Sequence, residues 1–155
     1  MQKMVKEYVA EEVVRLHIKG RVLEIGSFDV NGNINDELKH CDHVRLDMRA
    51  GKNVDVVANS HSLPFPDKSF DAVVCVDTLE HDSAFWITMQ EIDRVLKIGG
   101  ALVLTVPGFD FVLHCHPNDY WRFTQAAVAA LLEDYDNVET GVLGMMECFG
   151  SGSKQ

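Results

Sequence analysis

Apolar residues recur along the chain in two alternating periods, one typical of helices and one typical of strands. Near the start, apolar positions three and four residues apart predict a helix over residues 1–19. The same spacing predicts a second helix over residues 83–96. Short, nearly continuous apolar runs predict strands. These strands cover residues 21–26, 43–47, 54–58, 70–76 and 101–106.

Other segments carry turn and cap signals. Residues 34–40 suit a short helix, and the glycine pair at 99–100 is expected to end the second helix. Thr124 is a typical N-cap for a helix that runs to about residue 133. A closing hairpin is predicted over residues 138–143 and 147–151.

This alternation of strands and helices predicts parallel βαβ units, with right-handed crossovers that place helices on both faces of one sheet. We therefore predict an α/β, Rossmann-like, doubly wound and mostly parallel sheet of six to seven strands. An antiparallel strand is expected near the C-terminus. One domain is expected to span residues 1–155. Ligands of such sheets bind beyond the carboxyl ends of the strands.

Composition and charge narrow the class of protein. The 155 residues carry 24 acidic and 14 basic side chains, for a net charge of −10. This balance argues against a partner such as nucleic acid, whose backbone requires a basic face. No apolar run approaches the roughly 18–20 residues of a membrane span, so no membrane is expected. Without a signal-like segment or a CxxC pair, a cytoplasmic protein is expected. Its thiols are read as reduced at Cys41, Cys75, Cys115 and Cys148.

The loop after the first strand indicates a ligand at the strand ends. Gly26 allows a sharp turn and a close approach of the backbone, and Glu24 just before it offers an acceptor. Phe28 and Val30 stand where a dinucleotide fingerprint has further glycines, so a nicotinamide-dependent oxidoreductase loses support. A plain turn remains the alternative.

Two further strand ends carry polar residues. Asp47 follows Gly26 at about the 20-residue offset where a carboxylate meets ribose hydroxyls. Asn59 and Ser60, after the third strand, offer an amide oxygen and a backbone N–H of the kind an adenine ring needs. Together the three loops predict a nucleoside-shaped ligand. A surface aspartate and an ordinary turn asparagine remain the alternatives.

Five motifs in order resemble class I S-adenosylmethionine-dependent methyltransferases, and are most similar to the methyltransferase type 11 group. The resemblance covers residues 21–108 and extends into 116–124. It implies a cofactor-binding core over 21–108 and an acceptor-side segment with the hairpin over 109–155. The motifs are Val22-Leu-Glu-Ile-Gly26, Leu46-Asp47, Leu63-Pro-Phe-Pro-Asp-Lys-Ser-Phe-Asp71, Leu79-Glu-His81 and Glu91-Ile-Asp-Arg-Val-Leu-Lys-Ile-Gly-Gly100.

The resemblance implies S-adenosyl-L-methionine as cofactor and S-adenosyl-L-homocysteine as product. Glu24 and Gly26 correspond to the methionine site, Asp47 to the ribose site, and Met48 and Asn59 to the adenine site. The departure at residues 28 and 30 is interpreted as a variant loop, not a dead site. The implied cofactor residues are Glu24, Gly26, Ser27, Asp47, Met48, Asn59, Ser60, Val76 and Asp77.

The implied reaction is methyl transfer by in-line displacement to a small-molecule or glycan acceptor, because residues 116–124 resemble a subgroup linked to glycan or secondary metabolism. The alternative is a cofactor-binding module or scaffold without turnover. The short chain leaves little room for an acceptor cap, so a homodimer that completes an open pocket is also considered.

Histidines and carboxylates near the expected acceptor mouth are the candidate catalytic groups. We favour His116 as general base, with Asp119 as its orienting partner and His81 as a further candidate. Structural hydrogen bonding is the alternative for each. The acceptor wall is predicted to consist of Tyr120, Trp121 and Arg122, unless Trp121 and Phe123 serve only to fasten the following helix.

Two short segments near the expected acceptor site, at residues 114–119 and 80–82, could serve roles other than catalysis. His114, Cys115 and His116, with Asp119, have side chains that suit zinc. We predict no metal there, because no second ligand cluster accompanies them. Glu80 and Asp82 are interpreted as helix caps.

Overall fold

The computed structural model describes residues 3–30, 32–114, 118–144 and 146–155. Its helices are α1 (Lys3–Arg15), α2 (Phe85–Val95) and α3 (Gln125–Leu131). A 3₁₀ turn spans Leu79–His81. The strands are β1 (Arg21–Ile25), β2 (Asp42–Asp47), β3 (Val56–Val57), β4 (Phe70–Val76), β5 (Leu96–Pro107), β6 (Tyr135–Leu143) and β7 (Glu147–Lys154).

Seven strands of the described chain form one sheet in the order β3-β2-β1-β4-β5-β7-β6. Strands β1 to β5 pair in parallel, whereas β7 is antiparallel to both β5 and β6. The predicted doubly wound α/β fold and its antiparallel C-terminal strand are confirmed. Because the first five strands are parallel, their carboxyl ends meet at one edge of the sheet.

Apolar layers cover both faces of the sheet, as the nearly continuous apolar strands predict. One layer joins α1 to residues of β1, β4 and β5, including Val5, Val9, Val22, Val74 and Val103. The other joins α2 and α3 to the opposite face, including Ile25, Ile92, Leu104, Val128 and Leu132. The placement of helices on both faces is therefore confirmed.

The short helix expected over residues 34–40 is wrong, because this segment forms consecutive turns. Ile34 and Leu38 are buried four residues apart, which explains the helical periodicity. However, the Asn33 side chain accepts a hydrogen bond from the Asn35 backbone N–H at 3.2 Å. Such local side-chain bonds compete with a helical backbone.

The glycine pair at 99–100 does not end α2, which stops at Val95 and leads directly into β5. The backbone N–H groups of Lys68 and Ser69 donate hydrogen bonds to the carbonyls of Arg94 and Val95. These bonds hold the end of α2 beside the start of β4, so β5 begins at the next residue. The pair lies where the β4–β5 register shifts, and Gly99 has a φ of +75°. The third strand is also shorter than predicted, at Val56–Val57.

Two predictions, on membrane spans and on the cysteines, can be compared with the described residues. None of their helices has both the length and the apolar character needed to cross a bilayer. Cys41, Cys75 and Cys148 are free thiols, whereas Cys115 lies outside the described residues. Burial within β4 raises the pKa of Cys75, which therefore packs as a small apolar side chain.

Helix α1 is fastened to the sheet by a polar cluster under its last turn. Glu12 is buried, and its carboxylate accepts hydrogen bonds from Arg15 Nη2 at 2.6 Å and from Ser151 Oγ at 2.5 Å. Arg15 also donates to Ser151 Oγ at 2.6 Å. Because Ser151 belongs to β7, these bonds join the two ends of the chain.

Replacing the buried carboxylate with Glu12→Ala should lower the free energy of unfolding by about 1–3 kcal/mol, because two donors lose a shared acceptor. Chemical denaturation measures the change. The adjacent exposed residue provides the control, and Glu11→Ala should change stability by no more than about 0.5 kcal/mol. Equal unfolding midpoints for the two variants would contradict the assignment.

Candidate functional site at the carboxyl edge of the sheet

The turn after β1 brings the backbone of two neighbouring strands together. Gly26 has a φ of +81°, and its N–H donates to the Leu46 carbonyl at 2.9 Å. A Cβ at Gly26 would lie 1.9 Å from Oγ1 of Thr78. Only glycine fits this position, both for its conformation and for the contact with the segment after β4.

The residues that follow Gly26 are hydrogen-bonded to the end of β2 and to the loop after it. Ser27 donates its N–H to Leu46 O at 3.1 Å and accepts a bond from Asn53 Nδ2 at 2.9 Å on its own carbonyl. Phe28 donates its N–H to Oδ2 of Asp47 at 3.3 Å. The carboxylate that ends β2 therefore faces the loop that ends β1.

Phe28 stands where a glycine is expected, and its ring packs against Arg49 and Gly51 of the next loop. Its ring lies under the Arg49 guanidinium, with 4.5 Å between the guanidinium carbon and the ring centroid. A Cβ at Gly51 would lie 2.3 Å from the same ring. Gly51, in the next loop, therefore leaves room for the Phe28 ring. The packing of this ring fixes the conformation of the variant turn.

The rest of the variant loop is held by Asp29. Its carboxylate accepts bonds from Gly32 N at 2.8 Å and from Asn33 Nδ2 at 3.0 Å, and it pairs with Lys52 at 2.9 Å. The Lys52 ammonium and the Asn33 amide lower the pKa of Asp29 to about 2. The loop therefore keeps an ionised anchor at neutral pH.

Glu24 is buried in β1 beside an imidazole. Its Oε2 lies 2.9 Å from His43 Nε2, and its side chain is only 4% exposed. Strand register explains this contact, because Val22 pairs with His43 and Glu24 with Arg45, so Glu24 and His43 share a face. The predicted methionine-site carboxylate thus has a histidine neighbour.

The predicted adenine-side residues lie at the same edge. Met48 follows β2 and is 68% exposed, and Asn59 follows β3 with its side-chain oxygen bonded to the His61 N–H at 2.9 Å. Ser60 Oγ accepts a bond from Thr88 at 2.8 Å. The ends of β1, β2 and β3 therefore bring together the polar groups that the sequence predicts.

The end of β4 carries a strained carboxylate beside a buried one. Val76 is the last strand residue, and Asp77 follows with a φ of +46° and accepts a bond from Thr105 Oγ1 at 2.7 Å. Glu147, the first residue of β7, is 2% exposed. Burial and the nearby Asp77 raise the pKa of the Glu147 carboxyl far above its usual range.

The predicted acceptor wall forms part of an aromatic cluster. Tyr120 is 49% exposed, and its N–H donates to the Glu80 carbonyl at 2.8 Å. Trp121 stacks edge-on against Phe85 at 5.5 Å, and its indole N–H donates to a backbone carbonyl. Phe123 is buried against Phe85, as the alternative structural role predicts.

Arg122 fastens the acceptor-side loop. Its guanidinium makes five hydrogen bonds, two to the Asp119 carboxylate and three to the backbone carbonyls of Phe111, Val112 and Trp121. These bonds hold the pKa of Asp119 well below its usual range. Both residues therefore act in this structure as a clasp rather than as a free cation and a base.

A carboxylate and two imidazoles meet beside this clasp. Oε1 of Glu80 lies 3.6 Å from His81 Nε2 and 3.7 Å from His114 Nε2. Glu80 is fully buried, and this burial, together with the Asp77 carboxylate, raises the pKa of its carboxyl well above the usual range. The favoured base His116 lies outside the described residues, and its assignment stays a prediction.

Comparison with known proteins identifies the family. The family model described as a methyltransferase domain matches residues 4–104, which is more than half of the chain. The chain therefore belongs to this methyltransferase family, whose methyl donor is S-adenosylmethionine.

Two curated relatives match shorter segments. The chain is 38% identical over 58 residues to an uncharacterized protein of Methanocaldococcus jannaschii, a match that covers 37% of this chain and 25% of the relative. It is 40% identical over 47 residues to the 27-O-demethylrifamycin SV methyltransferase of Amycolatopsis mediterranei, covering 30% of this chain and 17% of that enzyme. The chain thus spans a quarter or less of the curated relatives it matches.

A solved structure shares the fold along nearly the whole chain. The 1,6-didemethyltoxoflavin-N1-methyltransferase of Burkholderia thailandensis superposes with a TM-score of 0.78 at 16% identity. The match covers 99% of this chain and 79% of that one, which was solved with 1,6-didemethyltoxoflavin and S-adenosylhomocysteine bound. At 16% identity, the superposition shows that the two proteins share a fold.

Groups at the carboxyl edge fit the family's cofactor. The positive φ of Gly26 and its contact with Thr78 leave a side-chain-free backbone at the turn. Ser27 Oγ is buried without a hydrogen-bond partner among the described residues. Each Asp47 carboxylate oxygen accepts one backbone bond, which leaves capacity for a diol. These are the groups that a ribose and a methionine chain require.

Sequence reasoning missed the importance of Thr78, Glu80 and Glu147. Glu80 was interpreted as a helix cap because it precedes α2 closely in the sequence. Glu147 reaches the site only because β7 pairs antiparallel with β5, which sets it opposite Pro107. No local signal marks such a long-range placement.

Removing the buried β7 carboxyl with Glu147→Gln should flatten the pH dependence of stability. In the wild type, this carboxyl has a raised pKa only when folded, so above about pH 4.5 the folded state holds more protons than the unfolded state. The free energy of unfolding therefore falls as pH rises toward the folded pKa.

Denaturation of both proteins between pH 5 and pH 9 measures this effect. The variant should be more stable than the wild type at the alkaline end, by about 1 kcal/mol or more. Glu133→Gln, at an exposed glutamate after α3, serves as control and should follow the wild type. Parallel pH curves for Glu147→Gln and wild type would show that this carboxyl has an ordinary pKa.

Proposed function

We propose that the protein transfers the methyl group of S-adenosylmethionine to a hydroxyl group of a neutral small-molecule or glycan acceptor. The observation that carries the proposal is the convergence of Gly26, Asp47 and Asn59 at one sheet edge, beside an exposed aromatic surface. When bound, the cofactor supplies a methyl group already activated on a sulfonium. The protein's main task is therefore orientation, which can supply roughly 7–11 kcal/mol of barrier reduction.

Each cofactor-side residue has a distinct role in this proposal. Asp47 accepts hydrogen bonds from the ribose hydroxyls, and the exposed Met48 packs on the adenine ring. Asn59 and the Ser60 backbone N–H bind the adenine edge. The open backbone at Gly26 receives the methionine part, with Thr78 beneath it.

The acceptor is proposed to lie over the exposed aromatic and apolar surface next to β4. Tyr120 is 49% exposed and Trp121 is 36% exposed, and Phe109, Val112 and Leu113 of the adjoining loop are more exposed still. Flat aromatic faces suit planar molecules and the apolar faces of sugars. The net charge of −10 disfavours a strongly anionic acceptor.

Two relatives support a small-molecule acceptor. The Amycolatopsis relative is named as a 27-O-demethylrifamycin SV methyltransferase, and the Burkholderia structure holds 1,6-didemethyltoxoflavin. We carry over only the shared class, a small organic acceptor. The choice of a hydroxyl acceptor follows the Amycolatopsis enzyme and the predicted glycan acceptor, because the Burkholderia enzyme is named for methylation at N1.

Proton removal from the acceptor is assigned to the histidine cluster rather than to the neighbouring carboxyls. Glu147 holds its proton at neutral pH because burial raises its pKa. Asp119 stays ionised in its pair with Arg122, and its lowered pKa makes it a weak base. His81 and His114 present Nε2 atoms near the same position and are the remaining described candidates.

Replacing the ribose carboxylate with Asp47→Asn should weaken the affinity for S-adenosylhomocysteine by about 10–100-fold, because an amide accepts fewer bonds from a diol. Isothermal titration measures the affinity. Asp42→Asn, at the opposite end of the same strand and exposed, should bind as the wild type does. Unchanged affinity in Asp47→Asn would place the cofactor elsewhere.

Removing an exposed ring with Tyr120→Ala should raise the KM for the acceptor severalfold while leaving S-adenosylhomocysteine affinity unchanged. Only the backbone of Tyr120 is bonded to Glu80, so the turn is retained. Release of S-adenosylhomocysteine with a panel of phenolic, polyketide and sugar hydroxyls provides the assay. Cofactor binding without turnover on any acceptor class would favour the alternative of a cofactor-binding module.

A further inference from the structure

We propose that Glu80, His81 and His114 bind a divalent transition-metal ion, with one carboxylate oxygen and two imidazole nitrogens as its protein ligands. The ligand atoms of these three residues all lie within 4.8 Å of one another. The sequence predicts no metal because no second ligand cluster accompanies His114, whereas the fold brings Glu80 and His81 next to it.

The distances from the Glu80 carboxylate oxygen to the two imidazole nitrogens are close to those between ligands of one ion. Oε1 of Glu80 is 3.6 Å from His81 Nε2 and 3.7 Å from His114 Nε2. These separations are too long for hydrogen bonds. Bonds of about 2.0–2.1 Å in a tetrahedral zinc site place neighbouring ligand atoms roughly 3.3–3.5 Å apart. The two distances from Glu80 exceed these values by only a few tenths of an ångström, and all three ligand atoms lie within 4.8 Å of one another.

The carboxyl group of Glu80 lies in a buried acidic environment that a bound cation would neutralise. Its side chain is 0% exposed, and neither oxygen has a hydrogen-bond partner among the described residues. Asp77 and Asp119 add negative charge around it, and Arg122 is the basic group that faces it. Because Arg122 is saturated by its five bonds to Asp119 and the loop, a bound cation would balance this charge.

Both imidazoles are oriented as metal ligands commonly are. Nδ1 of His81 faces the carbonyl oxygen of Asn118, and Nδ1 of His114 lies 3.3 Å from the Val112 carbonyl and 3.5 Å from Asp119 Oδ2. An Nδ1–H that faces an oxygen leaves the lone pair on Nε2, the atom that points toward Glu80. A partner of this kind on the second ring nitrogen fixes the tautomer of a ligating histidine.

The site is built by two segments that are tied together. Tyr120 N–H donates to the Glu80 carbonyl at 2.8 Å, and His114 N–H donates to Asp119 Oδ2 at 2.7 Å. The Asp119–Arg122 clasp thus positions the loop that carries His114. Two imidazoles and one carboxylate form a donor set known from catalytic zinc sites, which keep a further position open. Mg²⁺, which prefers oxygen ligands, suits it less well.

The location gives the ion a role that rests on the proposed function. Glu80 lies two residues after Thr78, which contacts Gly26, where the methionine part of the cofactor is proposed to bind, so the ion would lie on the same side of the site. An acceptor hydroxyl that approaches the ion becomes more acidic. With Nε2 of His81 and His114 bound to the ion, neither histidine acts as the base, and the acceptor proton passes to water instead. The acceptor O–H bond breaks, the O–CH₃ bond forms, and the electrons of the S–CH₃ bond return to sulfur.

Titration of chelator-treated protein with Zn²⁺ tests the site directly. The wild type should bind one equivalent, and Zn²⁺ should raise its melting temperature. Glu80→Gln and His114→Ala should each weaken the affinity by roughly 10–100-fold or more and lose the thermal shift. The matched controls are Glu133→Gln and His40→Ala, both at exposed positions, and both should bind Zn²⁺ as the wild type does.

Absence of stoichiometric Zn²⁺ binding by the wild type, or equal affinity in the ligand variants and the controls, would overturn the metal site. His114 is partly exposed, so His114→Ala keeps the test valid if Glu80→Gln fails to fold. Binding of S-adenosylhomocysteine to the metal-free protein reports separately on the proposed function. Cofactor binding that persists without a metal site therefore leaves the proposed function intact.

Discussion

The contact between Gly26 and Thr78 sets the geometry on which the rest of the site depends. A side chain at Gly26 would overlap Thr78, and its positive φ turns the chain away from β1 toward β2. The same turn brings the Phe28 N–H to Asp47 and places the segment 77–81 beside the β1 loop. Cofactor groups and acceptor groups therefore share one edge of the sheet because one glycine allows the two loops to meet.

Buried acidic groups are the main feature of the acceptor side of the site. Buried carboxyls at Glu80 and Glu147 lie near Asp77, and the arginine that faces Glu80 is already committed to Asp119. An excess of buried acidic groups is costly unless they hold protons or face cations. The burial of acidic groups close together therefore explains the raised pKa values of Glu80 and Glu147. It also means that the net charge of −10 includes acidic groups that a bound cation would stabilise.

The sequence predicted the elements with a regular period and a local cap. Strand β4 has the predicted bounds, and Thr124 caps α3 by accepting the Ala127 N–H at 3.1 Å. The expected helix at 34–40 is wrong because the Asn33 side chain accepts a hydrogen bond from the Asn35 backbone N–H there. Spacing predicted that Asp47 ends a strand, and the structure places it there. Glu147 depends instead on pairing between distant strands, which no local pattern encodes.

A crystal structure with S-adenosylhomocysteine bound tests the central claim most directly. The account predicts density for the nucleoside across the ends of β1, β2 and β3, with the ribose hydroxyls bonded to Asp47 and the homocysteine chain over Gly26. Density at the opposite edge of the sheet, or a ribose that faces away from Asp47, would contradict it.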